Sequence, residues 1–335
     1  SALSLAYSGF TNDYYYILKT ETPKNHYFSH LTQFNRIGGL RASWDHTWQA
    51  GAGNRIDFGA EVSRQEVRHR FASDYLLLEK SHDAGTVYTA YAQSHIQPSK
   101  EIEITGGLRY NYFNATQRGY YEPRLALNYQ PVSRLRLSMA TGKYYQFLNR
   151  VLLNNGLGIG EDFWAMANGT TIPVQGATHL MFGIAYEHKD MLVSLTPYWK
   201  GGDGLLEYIH GVYLTERNAT IEGEPVIGGT SRARGVELLI QKKAGLYSGW
   251  ISYSLSQIEN RFPALNGGRF FPARHDQRHE LKLVNLLSLK RWDINATWIY
   301  ASGRPYTEAL GAYLVERADG SEGQFIQTGQ RNSLR

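Results

Sequence analysis

The sequence is dominated by segments of about ten residues in which apolar and polar side chains alternate. The segment 292–300 shows the pattern, with five apolar side chains set against three polar ones: Trp292, Ile294, Ala296, Trp298 and Tyr300 against Asp293, Asn295 and Thr297. Successive side chains of a β-strand point to opposite faces, so such a segment has one apolar and one polar face. A long series of these strands is typical of an antiparallel transmembrane β-barrel.

The alternating pattern predicts about 13 strands, and the connectors between them alternate in length. The predicted strands span 1–18, 31–50, 55–72, 84–97, 102–114, 121–130, 134–145, 177–188, 191–204, 230–243, 246–258, 278–289 and 292–303. Short turns fall at 51–54, 98–100, 131–133, 188–190, 243–245 and 290–291, and longer loops at 19–30, 73–83, 115–120, 146–176, 205–229, 259–277 and 304–335. This alternation indicates an up-and-down barrel, whose short turns are periplasmic and whose long loops are extracellular in outer-membrane barrels.

Composition agrees with this reading and excludes several others. Only 42% of the 335 residues are hydrophobic, and no run of 18 apolar residues could form a membrane helix. The 24 Tyr, 13 Phe and 7 Trp would suit the aromatic girdles of a membrane barrel. The absence of cysteine excludes disulfides and thiolate chemistry. A net charge of +5 spread over scattered basic residues does not favour a nucleic-acid partner.

Four motifs follow one another after about residue 230. They are R-G-x-E-L at 234–238, S-G-W-I-S-Y-S-L at 248–255, D-Q-R-H at 276–279 and S-G-R-P-Y-T at 302–307. This succession resembles the C-terminal half of the barrel of TonB-dependent outer-membrane receptors. The tail 329–335 looks like the start of the next strand of that family. Before residue 230 the resemblance rests on architecture alone.

The resemblance implies a fold and a function. Barrels of this family have 22 strands around a plugged lumen, so residues 1–335 are expected to form one partial barrel segment without the plug. The whole protein would be an active transport receptor of the bacterial outer membrane. Its loops would bind a scarce solute such as a siderophore, haem, cobalamin or a glycan, and the TonB complex would supply energy through the plug. Outer-membrane lipid would surround the barrel, and the family also admits a surface lipoprotein partner. No enzyme activity and no cofactor are expected.

The long loops are the best candidates for ligand contact, because loops with exposed aromatics on a rigid scaffold commonly bind solutes. In the 146–176 loop the candidates are Phe147, Arg150, Phe163 and Trp164, and in the 259–277 loop they are Arg261, Arg269, Phe270 and Phe271. The alternative is that such a loop packs on itself and covers the barrel.

The charged residues of the family motifs are expected to be architectural, on lumen walls or at strand ends. They are Arg234, Glu237, Arg274, Asp276 and Arg278. A metal site at His275, Asp276 and His279 is not expected, because residues i and i+4 of a strand lie about 13 Å apart.

Three other functions stay open. A passive porin or adhesion barrel would share the architecture but would have no plug. An outer-membrane hydrolase would need a Ser-His pair near one rim, and the sequence contains no G-x-S-x-G motif. A soluble β-rich glycan-binding module would dissolve without detergent.

Overall fold

The computed structural model consists almost entirely of β-strands, and it describes residues 1–21, 26–51, 53–73, 77–154, 160–208, 212–214, 219–221, 226–316 and 322–335. The strands in chain order are β1 (Ala2–Glu21), β2 (His26–Gly51), β3 (Asn54–Ser73), β4 (Leu77–Ile96), β5 (Ile102–Phe113), β6 (Arg118–Val132), β7 (Leu135–Gln146), β8 (Leu148–Asn154), β9 (Gly160–Met166), β10 (Gln175–His188), β11 (Met191–Tyr208), β12 (Val212–Leu214), β13 (Ala219–Ile221), β14 (Val226–Lys242), β15 (Tyr247–Arg261), β16 (Phe271–Pro272), β17 (His279–Leu289), β18 (Trp292–Ala301), β19 (Ala309–Glu316) and β20 (Glu322–Thr328). A short 3-10 turn covers Asn266–Gly268. Parts of the predicted loops at 19–30, 73–83, 146–176, 205–229 and 304–335 lie outside the described residues.

Thirteen strands follow one another in a single antiparallel sheet, in the order β1-β2-β3-β4-β5-β6-β7-β10-β11-β14-β15-β17-β18. They correspond to the thirteen strands predicted from the alternating pattern, and the all-β barrel-segment prediction is confirmed. β8, β9 and β16 join this sheet beside the main path, while β12–β13 and β19–β20 form separate hairpins. Among the described residues, no helix is both long and apolar enough to cross a membrane.

The register of the sheet collects the apolar side chains on one face. Residues directly opposite each other on neighbouring strands share a face, and one such row runs without a break across five strands. The row is Leu5, Ala42, Val62, Tyr88 and Tyr112. Val62 is 44% exposed and Tyr88 is 49% exposed, although both are large and apolar. This apolar face is suited to lipid, and the opposite, polar face to a water-filled or plugged lumen.

Side chains on the polar face are linked across the strands. The carboxylate of Glu61 forms an ion pair with the Arg41 guanidinium at 2.8 Å, and its other oxygen lies 3.6 Å from the Arg109 guanidinium. Thr89 Oγ1 donates a hydrogen bond of 2.8 Å to Asn111 Oδ1. The charged and amide side chains of this face therefore supply hydrogen-bond and ion-pair partners for one another where burial removes water from them.

Gly235, the glycine of the R-G-x-E-L motif, allows a close approach between strands. It lies directly opposite Tyr198 of β11. A Cβ at this position would lie 2.6 Å from the carbonyl oxygen of Leu255 and 2.7 Å from the Tyr198 hydroxyl. Any side chain here would displace the tyrosine or separate β14 from β15, which explains a glycine inside a strand.

The first four strands are longer than a membrane crossing requires. β1 to β4 contain 20, 26, 20 and 20 residues, whereas about 9–11 residues cross a bilayer. Sequence analysis assigned 19–30 and 73–83 to loops, and the described parts of both are strand instead. The segments 19–21, 26–30 and 77–83 escaped detection because no change of hydropathy distinguishes two faces there; residues 80–83, for example, are polar at every position. We refer to the outer parts of β1–β4 as the strand extensions.

Replacing Leu127 by arginine should destabilise the membrane-embedded protein, because Leu127 lies on the apolar face of β6, opposite Met139. An arginine on the lipid face near the bilayer midplane costs about 2–4 kcal/mol. Asn128→Arg is the matched control, because Asn128 faces Glu103 on the polar side and an arginine there gains an ion pair. Urea unfolding of the full-length protein in lipid vesicles measures both changes, and equal losses would contradict the assigned faces.

Candidate functional site

A hairpin formed by β8 and β9, residues 148–166, lies against the polar face of the sheet, and we refer to it as the inner hairpin. β8 pairs in parallel with β11 at Glu207 and Tyr208, beyond the point where β10 ends beside β11. β9 lies against β2, β3 and β4 on the other side. Four strands, β5, β6, β7 and β10, separate β4 from β11 in the sheet. One hairpin reaches both walls because the sheet curves around it, so the inner hairpin lies across the lumen.

The side chain of Asn35 in β2 binds the main chain of β9 and so holds β9 against the wall of the barrel. Asn35 Oδ1 accepts a hydrogen bond of 3.1 Å from the backbone N–H of Trp164, and Asn35 Nδ2 donates one of 3.3 Å to the Trp164 carbonyl. The asparagine is 2% exposed. A side-chain amide here supplies the donor and the acceptor that a neighbouring strand would supply, so the edge of β9 is satisfied at this point.

His69 packs beneath the same strand. Its ring stacks on Phe163 with a centroid distance of 4.2 Å and an interplanar angle of 10°. Both side chains are buried, at 2% and 3% exposed. Burial lowers the pKa of His69 to about 4, so the imidazole is neutral at neutral pH. The residue lies near the outer end of β3, well beyond the row of Val62 and Tyr88, and therefore outside the part of β3 that would cross a membrane.

Two apolar clusters complete the contact between hairpin and wall. Phe113 and Val67 of the wall enclose Met166 and Ala167, and Phe147 packs on Phe113 with ring centroids 4.8 Å apart. The second cluster consists of Val151, Phe163, Ala165 and Leu206, with Ile172 packed against it. The hairpin is therefore anchored on both sides of the lumen by buried side chains.

The structure separates the four candidates of the 146–176 loop by exposure. Phe163 is buried, Phe147 and Trp164 are partly buried, and Arg150 is exposed. Phe163 and Phe147 serve the packing described above. Arg150 and the accessible part of Trp164 leave room for a solute, and ligand contact by this loop stays a prediction.

The candidates of the 259–277 loop also divide into packing and accessible residues. Phe271 is 4% exposed and packs near Phe262, which is 1% exposed. Phe270 is partly exposed and lies under the Arg232 guanidinium at 4.0 Å from the ring centroid. Arg261 contributes a second cation at 5.9 Å from the same ring.

The two basic candidates of this loop also hold its backbone. Arg261 Nε donates a hydrogen bond of 2.8 Å to the Gly268 carbonyl. Arg269 Nε donates a weaker one of 3.3 Å to the Asn266 carbonyl. Both arginines remain exposed, so each combines a structural contact with access to solvent.

Side chains at the end of β11 connect the inner hairpin with the 259–277 loop. Beside the inner hairpin, Glu207 forms an ion pair with Arg331. The backbone of Arg331 in turn exchanges two hydrogen bonds with the side chain of Asn266 in the 259–277 loop, at 2.8 and 3.0 Å. No sequence pattern had indicated a role for any of these three residues. Glu207 and Arg331 are 124 positions apart, and no local pattern marks them.

Asp276 of the D-Q-R-H motif closes the outer end of β15. The carboxylate is fully buried, and its Oδ1 accepts a hydrogen bond of 2.7 Å from the Ile258 N–H. Its Oδ2 lies 3.6 Å from Arg278 and forms an ion pair with Arg335. A buried carboxylate with these partners is a structural clamp.

The other motif residues are dispersed. Glu237 lies on the polar face, opposite Thr196 and Ser254. Arg234 lies instead on the apolar face, because residues two apart in a strand share a face and Val236 belongs to the apolar one. Its guanidinium donates a hydrogen bond of 2.8 Å to Gln257. Arg274 is exposed. Within the part of the chain that the structure describes, no three His, Asp or Glu side chains converge as metal ligands would.

The sequence matches no protein-family model and no curated protein.

Solved structures with the same fold identify the barrel type. The ferripyoverdine receptor of the outer membrane of Pseudomonas aeruginosa matches 97% of this chain with a TM-score of 0.59 at 11% identity. The FrpB iron transporter from Neisseria meningitidis matches 90% with a TM-score of 0.56 at 11% identity. The siderophore receptor PirA from Acinetobacter baumannii matches 98% with a TM-score of 0.55 at 11% identity.

The chain has the barrel fold of TonB-dependent outer-membrane receptors. The resemblance indicated by the four motifs is thereby confirmed for the fold. The chain spans about half the length of these structures, covering 46%, 51% and 49% of them.

Asn35→Ala should release β9 from the wall. The substitution leaves the Trp164 N–H and carbonyl without their partners in a site closed to water, which costs about 1–3 kcal/mol. Hydrogen exchange of the amides at 163–166 in the full-length protein should become at least about tenfold faster. Asn128→Ala removes an asparagine from the same face away from the hairpin, and should leave this exchange unchanged. Unaltered exchange in the Asn35 variant would contradict the anchor.

Acidification should also release the inner hairpin. The pKa of His69 is lowered in the folded state, so the released state binds the proton more tightly, and the contact weakens as pH falls from about 6.5 to about 4. The full effect is on the order of 3 kcal/mol. After correction for the intrinsic pH dependence of amide exchange, the protection factors of the amides at 163–166 should fall across this window in the wild type and much less in His69→Phe. An identical pH profile for the wild type and His69→Phe would refute the prediction. His46→Phe, which changes a histidine remote from the hairpin, serves as the control.

Proposed function

We propose that this chain forms part of the barrel of an active outer-membrane receptor, which binds a scarce solute at its extracellular rim and imports it with energy from the TonB complex. The observation that carries the proposal is the inner hairpin. It lies across the lumen of a receptor-type barrel and is joined, through Glu207 and Arg331, to the second loop predicted to bind ligand. A lumen obstructed in this way favours regulated passage over free diffusion.

The accessible candidates suggest a class of solute. Arg150, Arg261 and Arg269 are exposed cations, and Trp164 and Phe270 are partly accessible aromatics. Cations and aromatic faces together suit a ligand that is anionic and carries rings or conjugated groups. Receptors of similar fold include one bound to ferripyoverdine and a siderophore receptor. We therefore place ferric siderophores ahead of haem, cobalamin and glycans as the solute.

The surroundings of the barrel follow from the same proposal. The apolar face contacts outer-membrane lipid, and the short turns lie at the periplasmic rim. The TonB complex is the proposed source of energy for import. A surface lipoprotein remains a further partner of the long-loop rim.

A passive channel is the second candidate, and the same hairpin supports it. Some membrane barrels are narrowed or plugged by a loop folded into the lumen. A constriction held by Asn35 and His69 would give a pore of limited diameter without any energy source. The two functions differ in their dependence on the proton-motive force.

Import of a radiolabelled ferric siderophore, with ferripyoverdine as the first probe, tests the proposal in cells that produce the full-length protein. Uptake should fall to background when TonB is deleted or an uncoupler is added, because passage through the obstructed lumen needs work. Uptake that continues under both conditions would identify a passive channel.

Arg150→Ala and Arg269→Ala should each weaken siderophore binding about tenfold, because a charge-assisted contact contributes about 1.5–3 kcal/mol. Arg234→Ala is the matched control, since this arginine lies on the apolar face and contacts Gln257. Equal effects of all three substitutions would remove these loops from the binding site.

A further inference from the structure

The strand extensions carry a group of basic side chains on the exterior face of the sheet. This is the same face that is apolar further along the strands, at the row of Leu5 and Val62. Arg36 of β2, Arg64, Arg68 and Arg70 of β3 and Lys80 of β4 are all exposed. Alternate residues of one strand share a face, so the three arginines of β3 form a column about 20 Å long. We refer to these five residues as the exterior basic patch.

The register of the patch brings like charges together. Arg36 lies directly opposite Arg68, and Arg70 lies directly opposite Lys80. Like charges in directly opposed positions destabilise a sheet. Two such pairs on neighbouring rows are explained if an anion occupies the space between them.

The protein's own carboxylates neutralise only part of this charge. Glu66 lies 2.6 Å from Arg68 and 2.6 Å from His82, and these contacts lower its pKa. Among the side chains that the structure describes, Asp13 also lies beside the patch. Within the described part of the chain, no hydrogen bond or ion pair engages Arg36, Arg64, Arg70 or Lys80.

The patch surrounds a groove whose floor is formed by glycine. Gly9 and Gly38 face each other on β1 and β2, and a Cβ added to Gly38 would meet no atom within 4 Å. Arg36, Arg64 and Arg68 line this groove together with Glu66, whose carboxylate is held by Arg68 and His82, and the groove has a volume of about 220 Å³. A larger groove of about 840 Å³ continues outward past Arg70 and Lys80.

The lower end of the groove meets the apolar face. Tyr7 and Leu40 close it on that side, and both also line it. One row further down lie Leu5, Ala42, Val62 and Tyr88, the row suited to lipid. A ligand that filled the groove would thus have cations around its upper part and an apolar wall beneath it.

We propose that this groove binds the phosphate-bearing headgroup of a membrane lipid, with Arg36, Arg64 and Arg68 on the phosphate and the acyl chains along Leu40 and Val62. The proposal rests on the membrane orientation given under the proposed function. Guanidinium groups pair well with phosphate oxygens, and basic residues beside a membrane surface attract anionic lipids. The apolar wall selects a lipid over a free anion, which would gain nothing from Leu40 and Val62.

Other arginines on the same face show that exposure alone does not make such a site. Arg232 on β14 is paired with Glu259 at 2.8 Å and covers Phe270. Arg234 donates to Gln257. Because these guanidinium groups are satisfied within the protein, they provide matched controls for the patch.

The test uses the full-length protein in detergent micelles, with lipid A, a phosphorylated glycolipid, as the probe and native mass spectrometry as the readout. Wild-type protein should retain lipid A at least about tenfold more tightly than enzymatically dephosphorylated lipid A. Arg36→Gln combined with Arg64→Gln should lose this preference, whereas Arg232→Gln should keep it.

Gly38→Leu provides a second variant that leaves every charge in place. A Cβ at this position meets no atom within 4 Å, so a leucine side chain can extend into the groove and should also reduce lipid A retention about tenfold. Equal retention of phosphorylated and dephosphorylated lipid, or no effect of both patch variants, would overturn the proposal. Displacement of lipid A by millimolar inorganic phosphate would show a free-anion site, and tighter binding of an acidic peptide would show a protein-docking surface; either result also overturns it.

Solute import by the same variants separates this proposal from the proposed function. Lost lipid A retention with import intact supports the lipid site and shows that the variants fold. Retained lipid A binding in a protein that imports nothing would refute only the transport function.

Discussion

The register of one antiparallel ladder is the constraint on which the rest of the structure depends. A bilayer offers no water to backbone N–H and C=O groups, so each crossing strand must pair along its whole length with its neighbours. Once the pairing is set, every side chain is assigned to the lipid or the lumen, and a slip of one residue would exchange the two sets. The unbroken row from Leu5 to Tyr112 exists because the register holds across five strands.

The same constraint explains what could be predicted from sequence. In β6, Leu125, Leu127 and Tyr129 alternate with polar residues, and the short turn that follows leaves the chain no topology except a hairpin. This local pattern is sufficient for the thirteen strands of the wall. It fails in the strand extensions, where residues 80–83 are polar on both faces and the pleat continues without a change of hydropathy.

The candidate site depends on contacts that no local pattern encodes. Asn35 and Trp164 are 129 positions apart, and β8 pairs in parallel with β11 although two strands, β9 and β10, lie between them in the chain. Aromatic residues among polar ones marked as ligand candidates the two loops that meet at the end of β11, and ligand contact by them stays a prediction. They did not distinguish packing from access, because a buried Phe163 and a partly exposed Trp164 have the same local sequence pattern. Only the three-dimensional neighbours separate the two residues: the His69 ring covers Phe163, whereas Trp164 packs at the margin of the cluster around Phe113 and stays partly exposed.

The attachment of the inner hairpin has a consequence for how such a barrel can diversify. Asn35 binds the main chain of residue 164 and makes no demand on the identity of its side chain. This contact therefore tolerates a change of the side chain at 164 while the main chain of β9 stays bound to the wall. Because Asn35 holds the main chain, side chains of the hairpin can change during evolution without loss of the docked fold. The solute preference of such a barrel can therefore change while its scaffold stays the same.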